Sequence, residues 1–141
     1  MSAKAKRRGQ CLCGAVQVTA SEAGNKVGAC HCKMCRRWGG GPYMEITCGT
    51  NVSIDGEDHV SVFDSSKWAE RGFCRECGTH LFYRLKGSGD HMIPVGLFDD
   101  DDTLVLDHQV FIDEKPAFYS FAEKTGQMTG AELFAKYMPS D

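Results

Sequence analysis

Three cysteines fall within six residues in the stretch Cys30-His31-Cys32-Lys33-Met34-Cys35, with Arg36, Arg37 and Trp38 directly behind them. Thiols this close do not readily pair with one another, because a disulfide needs a Cα separation that adjacent loop positions rarely provide. They can converge instead on one soft metal ion such as zinc. The other cysteines form a Cys11-x-Cys13 pair, a lone Cys48 and a Cys74-x-x-Cys77 pair. Cys74-Arg75-Glu76-Cys77-Gly78 has the spacing of a zinc knuckle, its glycine easing the tight turn behind the second sulfur. A knuckle brings two ligands to a structural site that needs four. Cys11 and Cys13, also followed by a glycine, are the matching pair, and the four together make a closed structural zinc site.

Cys30, Cys32 and Cys35 are then left for a second zinc. A structural zinc has four protein ligands, whereas a catalytic one keeps a position for water or substrate. Cys48 is the first candidate for a fourth ligand, with His31 and His80 behind it. Cys48 also shares a strand face with Met44 and Ile46, which suits a small buried apolar residue. His31 would have to fold back on its own turn to ligate; otherwise it reads as a solvent-facing or supporting histidine. The residues alone leave the fourth position open to either answer.

Eight cysteines in 141 residues is a high count for a chain without disulfides. A disulfide framework, the competing reading, needs an oxidising compartment. Met1 to Gln10 is polar and lacks the apolar centre of a secretory signal. No apolar run approaches the roughly 18 to 20 residues that span a bilayer. The expectation is a cytoplasmic chain with reduced thiols and no membrane contact. A net charge of −3 argues against a general nucleic-acid binder. Lys4, Lys6, Arg7 and Arg8 read as part of a flexible, solvated basic tail, residues 1–9, ahead of a single zinc-binding domain at 10–141.

The elements that must carry these thiols are short. Alternation at Val16 and Val18 predicts a half-buried strand, and Asn25 to Gly28 reads as a loop leading to the cysteine cluster. Gly39-Gly40-Gly41-Pro42 breaks whatever precedes it, and Tyr43 to Cys48 resumes a strand. Val52 to Ile54 and Val60 to Phe63 are strands joined through the turn former Asp55-Gly56. His80 to Leu85 and Met92 to Leu97 make a hairpin across Lys86 to Asp90. The acidic run Asp99 to Asp102 reads as a solvated loop, and Leu104 to Leu106 and Val110 to Ile112 as the last strands. Thr129 and Glu132 form a capping box for a C-terminal helix whose apolar face is Leu133, Phe134, Tyr137 and Met138, ending before Pro139. Short strands, glycine-rich turns and one terminal helix predict a mainly β domain.

The motifs Cys11-Leu12-Cys13-Gly14-Ala15-Val16, Cys30-His31-Cys32-Lys33-Met34-Cys35-Arg36-Arg37, Arg71-Gly72-Phe73-Cys74-Arg75-Glu76-Cys77-Gly78-Thr79 and, after His108, Asp113-Glu114-Lys115-Pro116 follow one another along most of the chain. In this order the chain resembles the glutathione-dependent formaldehyde-activating enzymes and their centromere-protein-V-like relatives. The resemblance implies a β-tent-like arrangement of small antiparallel sheets holding two zinc ions. It implies that Cys11, Cys13, Cys74 and Cys77 hold a structural zinc. It also implies that Cys30, Cys32 and Cys35 hold a catalytic zinc with a free position, where glutathione adducts react. Cys48 is outside the pattern.

On that footing the expected activity is that of a carbon–sulfur lyase, or its reverse, addition of a thiol such as glutathione to a small aldehyde such as formaldehyde. Arg36 and Arg37 are candidates to pair with the carboxylates of glutathione, or are solvated charges on a loop. His31 is a candidate proton shuttle, and Trp38 packs against the cluster. The alternatives are a non-enzymatic protein with two structural zincs and a protein partner, and a thiol redox or metal-buffering protein. A family likeness carries a scaffold more safely than a substrate.

Overall fold

The computed structural model describes residues 4–99 and 101–137, and contacts divide the chain into two compact units. The first comprises Met1–Asn25 and Glu45–Leu104; the second comprises Lys26–Met44 and Val105–Asp141. Strands dominate and the chain closes on a short helix, as the patterning predicts.

In the first unit, β1 (Ala5–Gln10), β2 (Gln17–Ala23) and β5 (Val52–Asp55) make a three-stranded antiparallel sheet in the order β1-β2-β5. Val18 and Ala20 of β2 are buried, so the alternation seen in the sequence is the burial pattern. The stretch expected as a flexible tail is therefore ordered strand from Ala5 onward. Its basic character misleads because Arg7 turns inward: its Nε donates to the Gly24 carbonyl oxygen at 3.2 Å and its guanidinium pairs with Asp101. Asp101 thus takes a partner from β1, where the acidic run reads in sequence as solvated loop. Asp100 lies outside the described residues.

Five antiparallel strands complete this unit in the order β4-β9-β8-β7-β6: β4 (Tyr43–Gly49), β6 (Val60–Phe63), β7 (Ala69–Cys74), β8 (His80–Leu85) and β9 (His91–Pro94). Ile46, Cys48, Leu81, Phe82 and Ile93 are buried on these strands. The β8–β9 hairpin falls where the turn formers place it, although a 3₁₀ turn, Val95–Leu97, replaces the end of the expected strand. β7 gives no apolar alternation because it buries Arg71 and Gly72, and Gly72 lies opposite Phe82 in the β7–β8 register. β5 and β6 follow one another without pairing, since β5 pairs with β2 and β6 with β7.

The second unit departs from the antiparallel expectation. β3 (Lys26–Cys30), β10 (Val105–Val110) and β11 (Gly126–Met128) run parallel, with Val110 opposite both Cys30 and Met128. Parallel strands cannot be joined by a tight hairpin. The chain accordingly leaves after Met44, builds most of the first unit and returns at Val105 to pair with β3. The loop predicted over Asn25 to Gly28 is largely β3. The two late strand candidates are one strand, β10, followed by a 3₁₀ turn over Ile112–Glu114.

Two helices belong to this unit. α1 (Lys33–Gly39) follows directly from the cysteine stretch and ends on Gly40, whose left-handed φ of 90° lets its N–H reach the Arg36 carbonyl oxygen at 2.7 Å. α2 (Gly130–Tyr137) starts with the predicted capping box: the Thr129 N–H donates to Glu132 Oε1 at 2.8 Å, and the Glu132 N–H to Thr129 Oγ1 at 3.1 Å. Phe111 packs edge-on against Phe134 of this helix. Met138 and Pro139 lie outside the described residues. None of the described helices is long and apolar enough to cross a membrane.

Candidate metal centres

In the first unit, two turns, each closed by a glycine N–H, bring four sulfurs together. Cys11 follows β1 directly, and its carbonyl oxygen accepts from the Gly14 N–H at 3.0 Å; Cys74 ends β7, and its carbonyl accepts from the Gly78 N–H at 2.7 Å. Both glycines have φ of 82°, a backbone conformation that side chains with a Cβ resist. The sulfurs of Cys11, Cys13, Cys74 and Cys77 all lie within 4.8 Å of one another. Cys11 Sγ is 3.6 Å from Cys13 Sγ, which is 3.8 Å from Cys74 Sγ. A tetrahedron of thiolates at the usual zinc–sulfur length has edges of about 3.8 Å, so these donors fit such an ion.

Neighbouring groups favour the thiolate form at Cys11 and Cys77. Cys13, despite the backbone hydrogen bond at Ala15 that lowers it, is pushed up to about 12 by desolvation and the crowding of the other sulfurs. The Val16 N–H donates to Cys11 Sγ at 3.3 Å. Thr79 Oγ1 accepts from the Leu12 N–H at 3.0 Å and lies 3.1 Å from Cys77 Sγ, which leaves its own proton for the sulfur. Thr79, through its hydroxyl first and then its backbone, pulls the Cys77 thiol down to about 5. One hydroxyl thus ties the two turns together.

The second unit brings three sulfurs together. Cys30 ends β3, Cys32 is the N-cap of α1, and Cys35 sits in its first turn; their sulfurs lie within 4.8 Å of one another. The cap itself is a thiol: Cys32 Sγ accepts from the Cys35 N–H at 3.3 Å. This occupies the place usually held by a hydroxyl or carboxylate oxygen. Among the described residues, no other His, Cys, Asp or Glu ligand atom joins this group. Crowding with Cys32 and Cys35, and then burial, push the Cys30 thiol up, so all three thiolates together need a cation to balance them. Both thiol clusters could hold a metal ion.

Residues 6–114 match the glutathione-dependent formaldehyde-activating enzyme family. The chain belongs to that family. An uncharacterized lyase of Schizosaccharomyces pombe is 37% identical over 126 residues, covering 89% of this chain and 92% of the relative. Proteins of Aspergillus flavus and Aspergillus oryzae, provisionally named glutathione-dependent formaldehyde-activating enzymes, are 32% identical over 81 residues, 54% of this chain and 42% of each of theirs. The solved structure of a Rhodobacter sphaeroides protein matches with a TM-score of 0.57 over 67% of this chain and 90% of that one. At 22% identity that is a likeness of fold alone. Family and lyase relative together support an enzyme of the lyase kind.

Within this family member, the other sequence candidates take specific places. His31 is fully buried, with Nδ1 2.7 Å from the Tyr119 hydroxyl and Nε2 2.8 Å from Gln109 Oε1. Burial pushes its pKa down. Neither the solvent-facing reading nor a ligand role fits this side chain. Arg36 is half-buried, and its Nε donates to the His31 carbonyl oxygen at 2.9 Å; Arg37 is exposed. Cys48 is buried with Sγ directed at the Ile46 carbonyl oxygen 3.5 Å away, and it belongs to neither thiol cluster. His80 Nε2 lies 3.0 Å from the Phe82 carbonyl oxygen, and burial lowers it to about 4.

Around the three-thiol cluster, Gln109 and Tyr119 escaped the sequence reading, and Glu114 and Lys115 were seen only as part of a motif, with no role given. Gln109 and Tyr119 hold His31, and Glu114 Oε1 accepts from the Lys33 N–H at 3.0 Å at the start of α1. Lys115 Nζ donates to the Tyr119 carbonyl oxygen and, at 3.1 Å, to Ser120 Oγ. Glu114 and Lys115 lie in the Asp113 to Pro116 motif that the family likeness picks out. Gln109 and Tyr119 carry no spacing signal at all.

Proposed function

We propose that the chain is a zinc-dependent carbon–sulfur lyase that forms or breaks the adduct of a thiol, glutathione in type, with formaldehyde or another small aldehyde. The observation that carries the proposal is the inequality of the two thiol clusters. Cys11, Cys13, Cys74 and Cys77 offer a complete tetrahedral set, while Cys30, Cys32 and Cys35 offer one ligand fewer among the described residues. We assign a structural zinc to the first and a catalytic zinc to the second. Zinc held by three thiolates supplies a Lewis-acid position at which a thiol loses its proton or a carbonyl is polarised.

In the synthetic direction a carbon–sulfur bond forms between thiol and carbonyl carbon, and the thiol's proton ends on the carbonyl oxygen. The lyase direction reverses both. Cys30, Cys32 and Cys35 set the charge at the reacting position, and α1 holds Cys35 against Cys32. Arg37 is exposed beside them and is the freer of the two arginines to pair with a substrate carboxylate, because Arg36 already braces the His31 carbonyl. His31, with both ring nitrogens engaged, supports the cluster from behind rather than relaying protons to substrate. Reduced thiols of this number fit a reducing, cytoplasmic setting. We read the chain from β1 (Ala5–Gln10) onward as one zinc-binding domain.

The test is exchange spectroscopy on glutathione and formaldehyde with the zinc-loaded protein. The proposal expects faster interconversion of free and adduct forms, lost in Cys35→Ser. An unchanged rate, together with no glutathione binding, would sink it.

A further inference from the structure

The buried polar chain behind the three-thiol cluster has a shape that suggests its purpose. Cys30 and Cys32 flank His31 on an extended backbone, Cys32 having φ −64° and ψ 154°. Alternation along such a segment sends the two thiols to one side and the imidazole to the other. All four hydrogen-bonding groups of His31 are taken. Its N–H donates to the Val110 carbonyl oxygen at 3.1 Å, and its carbonyl accepts from Arg36 Nε at 2.9 Å. Its ring lies between Gln109 and the Tyr119 hydroxyl.

The protons along this chain can be assigned. Gln109 Nε2 donates to Thr125 Oγ1 at 2.9 Å, so Gln109 Oε1 faces the ring and accepts from Nε2–H. In the neutral ring Nδ1 is then the acceptor, and the Tyr119 hydroxyl 2.7 Å away is placed to donate to it. Tyr119 is fixed in turn by the Lys115 ammonium, which binds its carbonyl and lies 5.2 Å from its ring centroid. Phe111 at φ 54° begins the turn that delivers Glu114 to the start of α1 and Lys115 to Tyr119. A bulky residue held in the left-handed region persists only where its surroundings over-determine it.

We infer that Tyr119 and Gln109 are positioning residues for the three-thiol centre: by locking the His31 ring they fix the spacing of Cys30 and Cys32, and so set how tightly that centre holds its metal. This inference rests on the reading of Cys30, Cys32 and Cys35 as metal ligands, and it does not depend on which reaction follows. Loss of hydrogen bonds that orient ligands ordinarily costs about 10- to 100-fold in metal affinity.

The four-thiol centre of the same chain serves as the internal control. The full chain, loaded with zinc, is titrated with a chromophoric chelator that removes the two ions in separate phases. Wild type is compared with Tyr119→Phe, Gln109→Leu and Gln109→Glu. Tyr119→Phe and Gln109→Leu should each weaken the three-thiol phase by about 10-fold or more and leave the four-thiol phase unchanged. Gln109→Glu keeps an acceptor opposite Nε2 and should recover most of the loss. With cobalt(II) in place of zinc, the visible absorption of the three-thiol centre should change shape in the two weakened variants. Unchanged affinity in Tyr119→Phe, or equal weakening of both phases, would overturn the inference. If Gln109→Leu does not fold, Tyr119→Phe decides alone, since it removes one oxygen from a partly exposed ring. Selective weakening in a protein that shows no lyase activity would leave the positioning role standing and remove only the proposed reaction.

Discussion

The two thiol clusters solve one problem, gathering mutually repelling thiolates, by opposite routes. The four-thiol cluster joins two similar turns about sixty positions apart, and its supporting donors, Val16 N–H and Thr79 Oγ1, lie within five residues of a ligand. The three-thiol cluster takes all its ligands from six consecutive residues and imports its support from β10 and the segment beyond it, 78 to 88 residues away. Ligands that join distant segments stabilise the fold. Thiols gathered locally leave the fold to other contacts.

The largest expected effect follows directly. Cys74→Ser should unfold the first unit, because metal binding at a structural thiolate site is folding free energy, on the order of 10 kcal/mol. Thermal denaturation followed by circular dichroism would register it, and a melting temperature near that of wild type would break the comparison. Cys35→Ser should lose one of two bound zincs and all lyase activity while melting within a few degrees of wild type. Metal analysis beside calorimetry checks both halves.

The third prediction concerns stability that owes nothing to metal. Glu45 keeps partial exposure as a residue, yet its Oε2 is inaccessible and without a hydrogen-bond partner. Burial raises its carboxyl to about 8 from the usual 4.5. The folded state then holds a proton that the unfolded chain releases. Its contribution is complete below the unfolded value and is lost as pH rises through the folded one. At about 1.4 kcal/mol per unit, this amounts to a few kcal/mol between pH 5 and 9. Glu45→Gln should flatten that dependence in urea titrations and be the more stable protein at pH 9. Equal slopes for the two proteins would refute it. The smallest effect is that of Thr79→Val, which strips one hydroxyl from both turns of the four-thiol cluster and should cost about 1 to 2 kcal/mol. A loss confined to the three-thiol centre would contradict the division of labour.

How much of this was legible in the sequence follows the same line. The grouping of the thiols was legible because knuckle spacing is local, and the capping box at Thr129 and Glu132 was legible for the same reason. Helix α1 was not, since a thiol stands at its N-cap and a glycine run hides its end. β1 reads as a tail until Asp101, far along the chain, neutralises the inward Arg7. β10 looks like two strands because Asp107-His108-Gln109 interrupts the apolar pattern, and the purpose of the buried Gln109 becomes visible only once the His31 ring is seen against it. Thiol clusters are written in short motifs; the residues packed behind them are chosen by tertiary contact, which spacing does not encode.

Cadmium NMR of the fully loaded protein tests the central claim most directly, because it reads each centre's donor set separately. Two resonances are expected, one typical of four sulfurs and one shifted by a lighter fourth donor, with neither moved by Cys48→Ala. Two four-sulfur resonances, one of them lost in Cys48→Ala, would contradict it.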